Sequence, residues 1–196
     1  MAGKKQFDVG VALDAAMVQF WRDGYADTSL DDLSRATGLN RSSIYSSLGD
    51  KDALYLRCLD RYAARYGSRY DQALARASEE PLQAVRAFFE VTLQRIADPD
   101  VPDGCLVAQT AMAAPALSPV IAARASEALS LQQARLRTAL TAAQLAEGDA
   151  DDFAVHLAAV NQSLAVLSRI KASQKQLRTV IDVSMSALSH ALHARS

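Results

Sequence analysis

The densest set of hydrogen-bonding side chains in this sequence is the run Arg41-Ser42-Ser43-Ile44-Tyr45-Ser46-Ser47-Leu48, which follows Gly38 and Asn40 and precedes Lys51. Arginine can grip a guanine edge or a phosphate with two parallel bonds, and serine and tyrosine hydroxyls reach phosphate oxygens. Chemistry elsewhere is sparse. Cys58 and Cys105 stand 47 positions apart with no CxxC pairing, the pattern of reduced thiols rather than a disulfide framework. Cys105 follows Asp103-Gly104 at an expected helix start, where the positive helix end favours a thiolate while Asp103 opposes it. A redox or electrophile sensor and a small buried hydrophobe both remain open there. His190 and His193 lack a carboxylate or cysteine nearby and His156 lacks a partner, so no metal site and no cofactor are expected. No glycine-rich phosphate loop, HExxH or GxSxG string is present, so the chain is not expected to be an enzyme.

Helices must position that run. Half of the 196 residues are apolar, alanine and leucine dominate, and only five prolines and eight glycines interrupt them. Valine and isoleucine are scattered rather than alternating, so the expected fold class is all-α with about nine helices. Val9, Leu13, Ala16, Met17, Phe20 and Trp21 form one apolar face of a first helix that Gly24 ends. Thr28-Ser29 before Asp31-Asp32 is a capping signal for a short second helix, Leu30 to about Thr37, which Gly38 stops. Asn40 caps a third helix, Arg41 to about Leu48, and Lys51 opens a fourth that reaches towards Ala77. Later helices are predicted from Pro81 to about Ala97 and over 105–113, 119–145, 151–172 and 174–194.

Two short helices joined by a glycine-containing turn make a helix-turn-helix, whose second helix lies in the major groove. Ile44 and Leu48 would pack inward; Arg41, Ser42, Tyr45 and Ser46 would face outward, with Lys51 placed for a phosphate. Charge does not advertise this. Residues 1–57 hold seven basic and eight acidic groups, so any DNA is held by placed groups rather than by bulk attraction. A helical interaction module without specific DNA binding is the rival reading.

Residues 8–57 resemble the TetR family of bacterial repressors. Gly24-Tyr25, Thr28-Ser29, Gly38-Leu39, Ile44-Tyr45 and Lys51-Asp52-Ala53-Leu54 fit its pattern position by position. Three departures stand out: Arg41-Ser42-Ser43 where Lys-Gly or Arg-Gly-Thr is common, Leu48 for phenylalanine, and Ser46-Ser47 for a bulky His or Tyr pair. The resemblance implies a three-helix DNA-binding domain over residues 1–57. It implies a helical ligand-binding and dimerisation domain over residues 58–196. It further implies a homodimeric repressor that leaves a palindromic operator on binding a ligand, and the two lone cysteines fit the reducing cytoplasm expected for it. The expected contacts to double-stranded DNA are Thr28, Arg41, Ser42, Ser43, Tyr45, Ser46 and Lys51.

The last two helices each carry two stripes. Leu177, Ile181, Met185, Leu188 and Leu192 run beside Val180, Ser184, Ala187, Ala191 and Ala194. Phe153, Leu157, Val160, Leu164 and Leu167 run beside Ala154, Ala158, Asn161, Ala165 and Ser168. The large stripes suit the subunit core and the small ones a four-helix homodimer interface. Phe88, Phe89, Thr92, Ile96, Cys105, Gln109, Thr110, Met112, Phe153 and Asn161 are the candidate lining of an effector pocket, together with Val107 and Ser163. With few charges in these stretches, a small and largely neutral effector is expected. No run of apolar residues is long enough for a membrane span.

Overall fold

The computed structural model describes residues 7–193. Helix α1 (Val9–Asp23) begins at Asp8, whose carboxylate accepts from the amides of Gly10 and Val11 at 2.7 and 3.2 Å. That satisfies donors which the first helical turn leaves open. Helix α2 (Leu30–Thr37) opens on a reciprocal box: the Ser29 hydroxyl accepts from the Asp32 amide and the Asp32 carboxylate from the Ser29 amide. Gly38, at φ +69°, turns the chain out of α2 in the left-handed conformation that costs glycine least. Asn40 caps α3 (Arg41–Leu48) and Asp50 caps α4 (Lys51–Leu74).

The rest of the chain forms α5 (Pro81–Ala97), α6 (Leu106–Met112), a short 3-10 turn at Ala114–Ala116, α7 (Pro119–Ala142), α8 (Glu147–Arg169) and α9 (Gln174–His193). All regular structure among the described residues is helical. The all-α expectation therefore holds, with shifted boundaries. Helix α4 ends before Ala77. Helix α8 starts at Glu147 rather than Asp151, since Glu147 and Asp149 suit the positive end of its first turn. The expected end of the last helix at Ala194 lies outside the described residues.

The core is continuous from α1 to α9. Met17, Phe20, Trp21, Leu33, Ile44, Leu48, Leu54 and Tyr55 are buried together around the first three helices. Helix α4 leaves that cluster and packs on α5, α6 and α7. No helix is long and apolar enough to cross a membrane among the described residues.

The stripe assignment needs correcting on α8. Ala154, Asn161, Ala165 and Ser168 are buried with Leu157 and Leu164, so small and large residues there both serve the subunit's own core. From this face Asn161 meets Thr92 of α5 and Ser168 accepts from the Gly104 amide, so the small residues meet the subunit's own elements. Val155, Val166 and Ile170 are exposed instead on the outer side of α8, and Val183 on α9. On α9 the large stripe Leu177, Ile181, Met185 and Leu188 is buried. Ser184 is buried too, 3.2 Å from the His156 ring, while Ala187 is exposed.

Candidate nucleic-acid interface and the cavity behind it

Helix α3 is held by Ile44 and Leu48, which sink into the core, leaving its other side outward. Arg41, Ser42 and Ser46 are exposed, Ser43 is half-buried, and Tyr45 projects with about half of its surface free (51%). The Ser43 amide donates to the Asn40 cap, and Ser46 donates to the Ser43 carbonyl at 3.3 Å. Arg41 is engaged: its Nε and Nη2 donate to the two Asp31 oxygens at 2.9 and 2.7 Å. This fork-on-fork geometry is the one an arginine would use on a phosphate or guanine.

Two expected contacts sit differently. Thr28 is fully buried and donates to the Gly24 carbonyl at 2.6 Å, so its side chain closes the turn after α1 instead of facing DNA. Lys51 is half-buried, with its ammonium 4.3 Å from the centroid of the Tyr25 ring. Tyr25 in turn donates to Asp52, and burial first and that carboxylate second push its phenol up to about 12. Arg57, which the sequence pattern did not single out, donates to the Ser47 carbonyl at 3.2 Å and ties α4 to the end of α3.

A narrow cavity of about 50 Å³ lies behind this unit. Its walls are Tyr62, Tyr66, Gly67 and Tyr70 of α4, Ala128, Leu129, Gln132 and Arg135 of α7, Gln162 of α8, and Cys105 and Val107. That volume holds a few waters, since one water needs about 10–15 Å³. Any larger guest must part α4 from α7. Gly67 matters here: a methyl at its position would stand 2.8 Å from an Arg135 nitrogen. Its absence lets the Arg135 side chain lie across α4 and pair with Asp71 at 2.7 Å.

Of the candidate pocket residues, Cys105 lines this cavity, as does Val107. Phe88 and Phe89 are fully buried core. Thr92 donates to the Asn161 amide oxygen at 2.7 Å, with Tyr70 2.8 Å from Thr92, so the two are joined to each other in the core. Thr110 bonds Tyr55 at 2.7 Å, and Ser163 donates to its own helix. Ile96 and Phe153 are half-buried against the core, whereas Met112 is largely exposed (68%). Gln109 accepts from Arg169, which also donates to the Trp21 carbonyl at 3.0 Å. The signal that was missed is the tyrosine stripe at 62, 66 and 70, four apart on one helical face. Cys58 is buried against α1, and burial pushes its thiol up to about 12, so it stays protonated.

Residues 12–58 match the bacterial regulatory proteins of the tetR family, and residues 81–183 match the C-terminal domain of LmrA/YxaF-like transcriptional regulators. The chain is 34% identical over 103 residues to the HTH-type transcriptional repressor ComR of Escherichia coli (strain K12); the match covers 53% of this chain and 49% of ComR, about half its length. It is 27% identical to the HTH-type transcriptional regulator YezE of Bacillus subtilis (strain 168), across 96% of this chain and all of YezE. Among solved structures, a cysteine mutant of the TetR family transcriptional regulator CifR complexed with 26bp double-strand operator DNA superimposes with a TM-score of 0.79. That pair shares 26% identity over 94% of this chain and 98% of CifR. A TetR transcriptional regulator from Legionella pneumophila has the same fold at a TM-score of 0.83 and 16% identity, over 94% and 99% of the two chains.

Proposed function

We propose a mechanism from one premise: the chain belongs to the TetR family of bacterial regulatory proteins and is a transcriptional regulator. In this mechanism it acts as a homodimeric repressor on a palindromic operator in double-stranded DNA, and an effector bound in the cavity releases it. Arg41, Ser42, Tyr45 and Ser46 make the DNA contacts, Arg41 by exchanging Asp31 for a phosphate or base. Ser43 and Lys51 approach the backbone beside them.

The observation that carries release is the continuity of α4. Lys51, at its start, adjoins the α3 end, and Tyr62, Tyr66 and Tyr70 of the same uninterrupted helix wall the cavity. A guest that parts α4 from α7 therefore moves the helix that Arg57 ties to the end of α3. A second link supports the coupling. Gly104 lies between the cavity residue Cys105 and α8, its amide donating to Ser168 at 2.9 Å, and Arg169 next along α8 donates to the Trp21 carbonyl of α1. An effector favouring the parted arrangement lowers DNA affinity by the difference in its affinity for the two states.

Homodimerisation is supported by the outer surfaces of α8 and α9, where Val155, Val166, Ile170 and Val183 leave apolar area uncovered. Two subunits pairing there would form a four-helix contact about a two-fold axis and present two α3 helices to two half-sites. A cysteine-sensing variant is favoured by one observation, the place of Cys105 in the cavity wall beside Tyr62. Full response by Cys105→Ser would exclude it.

Filling the cavity should mimic the effector. Ala128→Phe is expected to lower operator affinity about tenfold or more while leaving the dimer and its helix content intact. Operator affinity equal to wild type in that variant would refute release through this cavity.

A further inference from the structure

Behind the cavity wall lies a charge without a counter-charge. Arg95 of α5 is almost fully buried (3% exposed), with its guanidinium 5.8 Å from the Trp21 ring centroid and 5.7 Å from that of Tyr66. Nη1 donates to the Gly104 carbonyl, while Nε is buried with no hydrogen-bond partner. The neighbouring Trp21 Nε1 is a second buried donor in the same condition. Among the described residues no carboxylate forms an ion pair with Arg95. The arginine that lines the cavity itself, Arg135, already has Asp71.

Arginine cannot shed its charge inside a protein, and a buried cation is costly unless it is paired. The tyrosines do not supply the anion. Burial pushes the Tyr62 phenol well above its usual range and that of Tyr66 upward, so both are neutral hydrogen-bonding groups near pH 7. Trp21, Arg95 and these two phenols thus gather donors in a place poor in acceptors. Tyr62 and Tyr66 line the cavity with their ring centroids 4.7 Å apart, and the Arg95 guanidinium lies behind them, 5.7 Å from the Tyr66 centroid, so a guest reaches it by displacing these rings.

We propose that the effector is a small organic anion, a carboxylate, whose charged end pairs with Arg95 past Tyr62 and Tyr66 and whose apolar body lies against Ala128 and Leu129. This assignment rests on the effector-release reading and names the chemistry of that same site. It revises the neutral effector expected from the few charges in these helices; that scarcity is what leaves Arg95 unpaired. A carboxylate on Arg95 competes with the Gly104 carbonyl and the Trp21 ring. It thereby draws on the loop and helix that join the cavity to the DNA-binding unit.

Trp21, the single tryptophan of the chain, provides the readout. The purified full-length protein is titrated with benzoate, cinnamate and hexanoate, each beside its primary amide, following Trp21 emission and melting temperature. At least one carboxylate is expected to bind about tenfold or more tightly than its amide, as a charge-assisted pair in a dry site should. The preference should persist at high salt, which screens surface attraction but not a buried pair. It should vanish in Arg95→Met and survive in part in Arg95→Lys; if Arg95→Met does not fold, the high-salt comparison on wild type decides. Equal binding of acid and amide, loss of the preference at high salt, its survival in Arg95→Met, or no binding by any of the three acids would overturn the proposal. If the acids fail while Ala128→Phe still weakens operator binding, the anion assignment alone falls; if Ala128→Phe is also silent, the effector reading falls with it.

Discussion

Arg41 meets Asp31 through two parallel hydrogen bonds in full view of solvent, on the surface proposed to face DNA. Exposed pairs of this kind contribute little to stability, so the carboxylate's main effect is on binding. It occupies the arginine's fork in the free protein and repels phosphates. Asp31→Asn is therefore expected to raise operator affinity about threefold or more at low salt, with the gain shrinking as salt rises. Unchanged affinity in a filter-binding series would place Arg41 off the DNA. Arg41 and Tyr45 were legible as outward residues because Ile44 and Leu48, four apart, fix which side of α3 is buried. Thr28 was not, because a hydroxyl beside a helix cap can face outward or bond the preceding turn, and only the path of the chain after Gly24 decides.

Helix α1 is fastened to α4 by a carboxylate between two guanidiniums. Asp14 accepts from Arg61 through bonds of 2.7 Å to each oxygen, and from Arg65. The Arg61 hydrogen bond is the largest influence holding Asp14 below its usual 3.8, although burial opposes it. A carboxyl depressed on folding contributes stability that is complete above its unfolded value and lost as pH falls through the lower folded value. The melting temperature of wild type is thus expected to fall more steeply than that of Asp14→Asn below about pH 4, and parallel curves would deny the clasp any role. The elements themselves were largely readable. Asn40, Asp50 and the Ser29–Asp32 box cap their helices as the sequence implies, since capping is local chemistry. The inner face of α8 was misread because alternating large and small residues fit either a subunit core or a dimer contact. The cavity escaped for a related reason: tyrosines at 62, 66 and 70 form an ordinary amphipathic stripe until α7 is set against them.

Across the whole molecule, one helix runs from the end of α3 to the cavity wall. In the proposed mechanism DNA and effector compete through the set of α4 against α7, because the tyrosine wall of the cavity lies on the helix that follows α3. With residues 1–57 near neutral, the proposed operator binding rests on a few placed contacts rather than on a broad basic surface. The most direct test of an effector-released repressor is binding of the full-length protein to DNA from around its own gene, across a salt series, beside Arg41→Ala and Tyr45→Ala. Tight, sequence-dependent binding is expected that weakens with salt, falls about tenfold or more in each variant, and is relieved by the carboxylate that occupies the cavity. Binding to neither this DNA nor any fragment selected from the whole genome would contradict it and leave a helical interaction module in its place.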